Sequence, residues 1–443
     1  MSATKRWALG LVVALLVAGC DGGDDGPPPT TTGDGGVMPS QTERLFDDGA
    51  PVWHFDIEIA ADDLTWLDAN ATLEEYVPGT VIFEGERFEN AGVRYKGAFG
   101  SLHSCFDDMG RLLCSKLSLK VSFNEYVDRG RFQGVRKLLL HSCNRDPTCL
   151  RERLAYRFFE HVGIEASRVG HATVSINGQE PSLYALVEYV DDEFLEDHFE
   201  DPAGNLYKER WPVSLDTTYY VDGLRNNELV ADVSRMVELA TVLGATDDAT
   251  FTADVSSWFD FDYQARYNAA DQLIHNWDGI WKFYCFRGQC GNHNYYIYDD
   301  PVAAHFVIIP WDLDHSFSRP NEDMARSWWD DSPMACEIDP IMIGGIGELG
   351  IRAPQCDPLM RGLMRSNWDA YREALRQILS TPATSEEGLL ARLDRYRALL
   401  RPHVEADPRS PPVLEWDASV TTLRQGIRAQ YGEVERFLAE PSP

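Results

Sequence analysis

Basic residues are scarce in this chain. Its 443 residues hold 40 Lys and Arg against 71 Asp and Glu, a formal net charge of -31. A surface of that sign repels a phosphate backbone, which excludes nucleic-acid binding as the main activity. Gly-x-Ser-x-Gly, His-Glu-x-x-His and Gly-x4-Gly-Lys-Ser/Thr motifs are all missing, so serine hydrolase, zincin and P-loop readings have nothing to stand on. No Cys-x-x-Cys pair occurs, and the cysteine spacings fit a zinc site poorly. Internal repeats are absent, and the apolar run from Trp7 to Val17 is too short for an ordinary membrane-spanning helix.

What is present is a globular composition, 44% hydrophobic, behind an N-terminus with the order of a secretory signal. Lys5 and Arg6 precede the apolar run, and Val17-Ala18-Gly19-Cys20 is similar to a bacterial lipobox. That similarity implies a signal peptide over 1–19 and a diacylated Cys20, hence attachment to a membrane and a place in the cell envelope. Residues 20–44 are rich in Gly, Pro, Thr and Asp and read as a tether. Setting Cys20 aside leaves eight cysteines in near neighbours: Cys105 and Cys114, Cys143 and Cys149, Cys285 and Cys290, Cys336 and Cys356. They read as four local disulfides formed in an oxidising compartment.

The folded part divides into a strand-rich lobe, 45–210, and a helix-rich lobe, 211–443, which is an α+β arrangement. In "KLSLKVSF" Leu117, Leu119, Val121 and Phe123 alternate with Lys116, Ser118 and Lys120, as in a strand with one apolar face. Asp146 reads as the N-cap of a helix beginning at Pro147 and stopping at Gly163. Asn177-Gly178 marks a hairpin, and a second is expected around Asp299-Asp300-Pro301. Met360, Met364, Trp368, Tyr371, Leu375 and Ile378 keep helical spacing.

The chemistry centres on "IPWDLDHSF", in which Asp312 and Asp314 follow an apolar strand. Two carboxylates so placed converge on a hard cation if the chain turns between them, and otherwise cap a turn. Upstream lie Asp278, Asn292 and Asn294, and the order Asp278, Asn294, Asp312 matches phosphoryl transfer, with one Asp for the acceptor hydroxyl and the others for metal. In "YKGAFGS", Gly97 and Gly100 could bring backbone amides to phosphates, with a lysine of the next strand behind them. His275 and His315 flank the acids as candidate bases, and the tryptophans of "RSWWDD" would suit carbohydrate contact.

Taken in order, "RYKGAFGS", "SKLSLKVSF", "GVRKLLLHSCNRDPTCLRERLAYRFFEHVGI", "VSINGQEPSLYALVEYVDDEFLEDHF", "GNLYK", "NWD", "NYYIYDD" and "IPWDLDHSF" resemble the CotH kinase family, named for a spore-coat protein. The resemblance spans about Gly92 to Phe317. It implies an atypical protein-kinase-like fold, ATP with Mg2+ or Mn2+, and transfer of phosphate to serines of secreted or surface proteins. Carried onto this chain, Asp278 would be the catalytic aspartate, Asn294 (with Asn292 as rival), Asp312 and Asp314 the metal ligands, and Lys116 the phosphate-binding lysine. Lys120 and Lys208 stand behind Lys116, and Glu152 is its implied ion-pair partner. A kinase-like fold that transfers AMP or glutamate, and a surface-binding module without catalysis, are the alternatives.

Overall fold

Strand β1 (Val52–Ile59) alternates strictly, sending Trp53, Phe55, Ile57 and Ile59 inward. Such a strand needs a curved sheet to cover its apolar edge, and the computed structural model supplies a closed barrel. It describes residues 41–97, 102–229, 232–286, 289–318, 336, 339–343 and 347–440. With β2 (Val77–Phe83), β3 (Glu86–Tyr95), β4 (Leu119–Ser122), β5 (Lys137–His141), β6 (Val169–Ile176) and β7 (Ser182–Val187), the barrel runs β1-β2-β3-β4-β5-β7-β6 and closes through a parallel β1–β6 pair. Aromatics fill it: Phe55, Phe83 and Phe132 pack with ring centroids 5.0 to 5.6 Å apart.

The β6–β7 hairpin turns on Asn177 and Gly178, both at positive φ (49° and 71°), as a tight primed turn demands. The helix after β5 begins later than the sequence predicts, at Arg151, and runs to His161. Asp146 still caps it from a distance, its carboxylate accepting from the amides of Thr148, Leu150 and Arg151, while the Cys143–Cys149 disulfide ties the intervening turn. All four expected disulfides form, the others being Cys105–Cys114, Cys285–Cys290 and Cys336–Cys356.

Beyond the barrel, β8 (Leu206–Lys208) joins β11 (Tyr295–Asp300) and β12 (His305–Pro310) in a three-stranded sheet. Strands β9 (Phe283–Phe286), β10 (Gln289–Gly291), β13 (Asp339–Ile343) and β14 (Gly347–Arg352) form a second sheet in the order β10-β9-β14-β13. Helices Phe261–Leu273, Trp368–Ser380, Glu386–Ala406 and Val413–Ala439 pack on one another and on Arg151–His161. The predicted helical run from Met360 is broken at Asn367 into two helices, Pro358–Ser366 and Trp368–Ser380. Residues from Ser40 onward form one compact unit of mixed strands and helices. Among the described residues no helix is long and apolar enough to cross a membrane. The signal segment, Cys20, the tether up to residue 40, Gly100 and "RSWWDD" lie outside the described residues, while residues 41–44 of the tether open the helix Gln41–Phe46.

A buried ionic cluster pins the short helix Asp192–His198 to the barrel. His198 places Nδ1 2.9 Å from Glu165 and Nε2 3.3 Å from Glu188, with its ring stacked on Phe194 at 3.9 Å. Burial opposes the imidazolium, yet the two carboxylates outweigh it and raise His198 to about 9. Glu188, despite its own burial, is held down to about 2 by His198 and Arg168. His198 therefore stabilises the fold fully below its ordinary value of 6.5 and loses that contribution as pH rises through about 9. Glu188 contributes above 4.5 and loses its contribution as pH falls through about 2. The wild-type advantage over His198→Gln is expected to be on the order of 3 kcal/mol near pH 6 and to vanish toward pH 9.5. Denaturant melts across that range check it, and a pH-independent difference would contradict it.

Candidate active site

Between the open rim of β3, β4 and β5 and the β8–β11–β12 sheet lies a cavity of about 250 Å3. Its walls carry both signs of charge, with Arg94, Lys96, Lys120, Arg145 and Lys208 set among Glu74, Glu152, Glu209, Asp312 and Asp314; Arg94 pairs directly with Glu74 at 3.0 Å.

Lys96 follows the last residue of β3, and its Nζ lies 2.7 Å from Nε2 of His141, the last residue of β5. The other nitrogen of that ring faces Glu152, 2.9 and 3.0 Å from its two oxygens. Glu152 sits in the first turn of Arg151–His161, which brings it to the cavity beside His141 and away from Lys116, its implied partner. Burial lowers Lys96 from its ordinary value, and burial followed by the charge of Lys96 pushes His141 down to about 3. Lys120 reaches the cavity from β4, its Nζ 4.0 Å from the Tyr189 ring centroid. Burial, then the nearby Lys137, Arg94 and Lys96, bring it down to about 7. Lys208 enters from β8, opposite Tyr296 of β11.

Lys116 does not reach this site. Strand β4 begins only at Leu119, so the alternation that put Lys116 and Lys120 on one face fails before the strand starts. The chain bends, and Lys116 instead donates to the Leu183 carbonyl and pairs with Asp407 at 3.0 Å, walling a separate cavity beside Arg409 and Trp416. Gly97, at φ 144°, donates its amide 2.7 Å to Glu74, so that amide is already engaged.

The acidic side is built by the β11–β12 hairpin, which forms as expected. Asp312 follows β12 at φ 55° and Asn294 precedes β11 at φ 61°, both in the left-handed region that Asp and Asn tolerate best. Two such positions facing one cavity are the kind of backbone strain that clusters at functional sites. The Asp312 amide donates to Tyr156 OH at 2.9 Å, and the Trp311 amide to the Asn294 carbonyl at 3.1 Å, locking the segments together. Asn294 in turn donates 2.9 Å to the carbonyl and 3.1 Å to the carboxylate of Asp278. Asp278 is outside the cavity wall, reached through Asn294, and also accepts from Tyr284 OH. The rival Asn292 is buried and does not line the cavity; its Nδ2 donates to the Ile280 carbonyl and holds the loop, while its Oδ1 takes no hydrogen bond among the described residues. His275 is turned toward the Ser318 carbonyl, whereas the His315 ring lies tilted against Trp277, centroids 4.8 Å apart.

Asp314 is driven well above the usual carboxylate range by burial, then by Asp312, Glu152, Asp146 and Asp278. Burial and Asp312 raise Glu152 likewise. Acids crowded in this way suit a cation, and His141, Glu152 and Asp312 offer ligand atoms within 4.8 Å of one another. The carboxylates fit a hard divalent ion such as Mg2+ or Mn2+, while both nitrogens of the His141 ring are engaged by Lys96 and Glu152.

Lys96, His141 and Glu209 carry no role in the sequence reading. Lys96 stands in "RYKGAFGS", one residue past a strand, where the glycines carry the stronger local signal; nothing local marks His141.

Residues 93–432 match the family model described as CotH kinase protein, about three quarters of the chain. The chain is 25% identical over 301 residues to the inner spore coat protein H of Bacillus subtilis (strain 168), covering 62% of this chain and 71% of that protein. It is 39% identical over 55 residues to the inner spore coat protein H-like protein of the same organism, covering 12% and 18% respectively. A crystal structure of the Helicobacter pylori proinflammatory kinase CtkA aligns with 82% of this chain and 92% of that one at 10% identity. Its TM-score of 0.29 is too low to bear on the fold. The match of the family model across cavity, hairpin and helices is what identifies the relationship: the chain belongs to the CotH kinase family.

Proposed function

We propose that this protein is an ATP- and Mg2+-dependent kinase that phosphorylates serines of proteins outside the cytoplasm. The observation that carries the reading is the meeting, in one cavity, of Lys96 and Lys208 with Asn294, Asp312 and Asp314, while Asp278 is held just outside its wall by Asn294. Phosphoryl transfer asks a protein mainly for positioning and charge, and these residues supply both. Lys96, aided by Lys208 and Lys120, neutralises the nucleotide phosphates, taking the role first assigned to Lys116. Asp312 and Asp314, with Asn294, would hold the divalent ion, whose positive charge would offset that of the nucleotide phosphates. Asp278 orients the seryl hydroxyl and takes its proton as that oxygen bonds to the γ-phosphorus and ADP leaves. A strand-rich lobe over 45–210 and a second lobe over 211–443 go with this reading.

Four disulfides favour an oxidising compartment, and the spore-coat relative is named for a surface structure. Export by residues 1–19, anchoring through Cys20 and action in the cell envelope complete the proposal. Incubating the protein with Mg2+, a Ser-rich acceptor and ATP labelled either on the γ-phosphate or on adenosine is the test. Label on serine from the γ-phosphate alone is expected. Transfer of adenosine label would mean AMP transfer, and no transfer with no nucleotide-induced thermal shift would mean a binding module.

A further inference from the structure

Among the described residues no direct ion pair joins Lys96 to Glu152; an imidazole stands between them. We propose that His141 is a positioning residue that carries the Glu152 anchor to Lys96, accepting from the lysine ammonium at Nε2 and donating from Nδ1 to the carboxylate. The proposal rests on the kinase reading for its activity readout, and on geometry for its substance.

Donor counting fixes the arrangement. An ammonium has three donors and no acceptor, so a ring nitrogen 2.7 Å from Lys96 Nζ must accept. A neutral imidazole then carries its proton on the other nitrogen, which lies 2.9 Å from Glu152 Oε1 and so donates to it. The ring is rigid and well held: His141 ends β5, paired with Ala185 of β7, and lies edge-on to Trp311 at 6.1 Å. Lysine is the opposite case, a four-carbon stem with much rotamer freedom to lose. A fixed acceptor beside its head group removes part of that cost before any phosphate arrives. The same ring makes Lys96 answer to the helix Arg151–His161, because Glu152 moves with that helix.

The test compares the full chain with His141→Leu and His141→Gln, since glutamine keeps one acceptor and one donor. Nitrogen-15 NMR of histidine-labelled protein, assigned with these variants, should show His141 as the neutral Nδ1–H tautomer. Titration with MgATP should show His141→Leu weakened about tenfold to a hundredfold, the value of a charge-assisted hydrogen bond, with much of it restored in His141→Gln. KM for ATP should rise with the affinity loss. An Nε2–H tautomer, or wild-type affinity in the leucine variant, would overturn the proposal. If wild-type protein bound no nucleotide, the kinase reading would fall, and the tautomer would still decide the role of His141.

Discussion

Asp312→Asn is expected to lower metal-dependent phosphoryl transfer by about 10^3 and yet to leave the protein at least as stable as before. Activity falls because a neutral amide cannot hold a divalent ion against the nucleotide phosphates. Stability holds for three reasons that the structure supplies. The backbone of Asp312 is at φ 55°, which Asn adopts as readily as Asp. Its contribution to packing runs through its amide, which donates to Tyr156, whereas its carboxylate takes no hydrogen bond among the described residues. Its charge raises the proton affinity of Glu152, Asp314 and Tyr156, so removing it relieves repulsion. Alanine would lose this clarity, since it is strained at positive φ. Activity assays beside thermal melts without metal separate the two effects; retained activity, or a melt lowered by several degrees, would count against the assignment.

The second large effect contrasts two lysines. Lys96→Met should abolish detectable nucleotide binding with a small change in melting temperature, because an ammonium that burial disfavours is replaced by an apolar chain of similar length. Lys116→Met should do the reverse. Its ammonium is paired with Asp407, whose carboxylate also accepts from the amides of Leu183 and Arg409 and from Ser410. Losing the cation strands a buried charge at a cost of about 3 to 5 kcal/mol, while nucleotide affinity stays near wild type. Calorimetric titration with MgATP and denaturant melts on both variants decide it. If Lys116→Met lost nucleotide and kept its stability, the sequence reading of that residue would be reinstated.

These two lysines also show where sequence reasoning stops. Period-two alternation is a reliable sign of a strand, and it correctly put Leu119, Val121 and Phe123 into the barrel core. It carries no sign of where the strand begins, and Lys116 falls three residues before β4. The closure of the barrel was equally invisible, because β1 meets β6 across more than a hundred residues, from Val52 to His171. Features written within a few residues read well: the Asn177-Gly178 turn, the β11–β12 hairpin and the four neighbouring cysteine pairs. Asn294, Asp312 and Asp314, on such local features, line one cavity together with Glu152 and Lys208. His141 needed the tertiary fold, since its two partners lie 45 residues before it and 11 after.

A structure of the protein with Mg2+ and a non-hydrolysable ATP analogue tests the central claim most directly. The account predicts phosphates against Lys96 and Lys208 and the cation on Asp312, in the cavity between the barrel rim and the β11–β12 hairpin. Phosphates seated beside Lys116 and Arg409, or a cation bound away from Asp312, would contradict it.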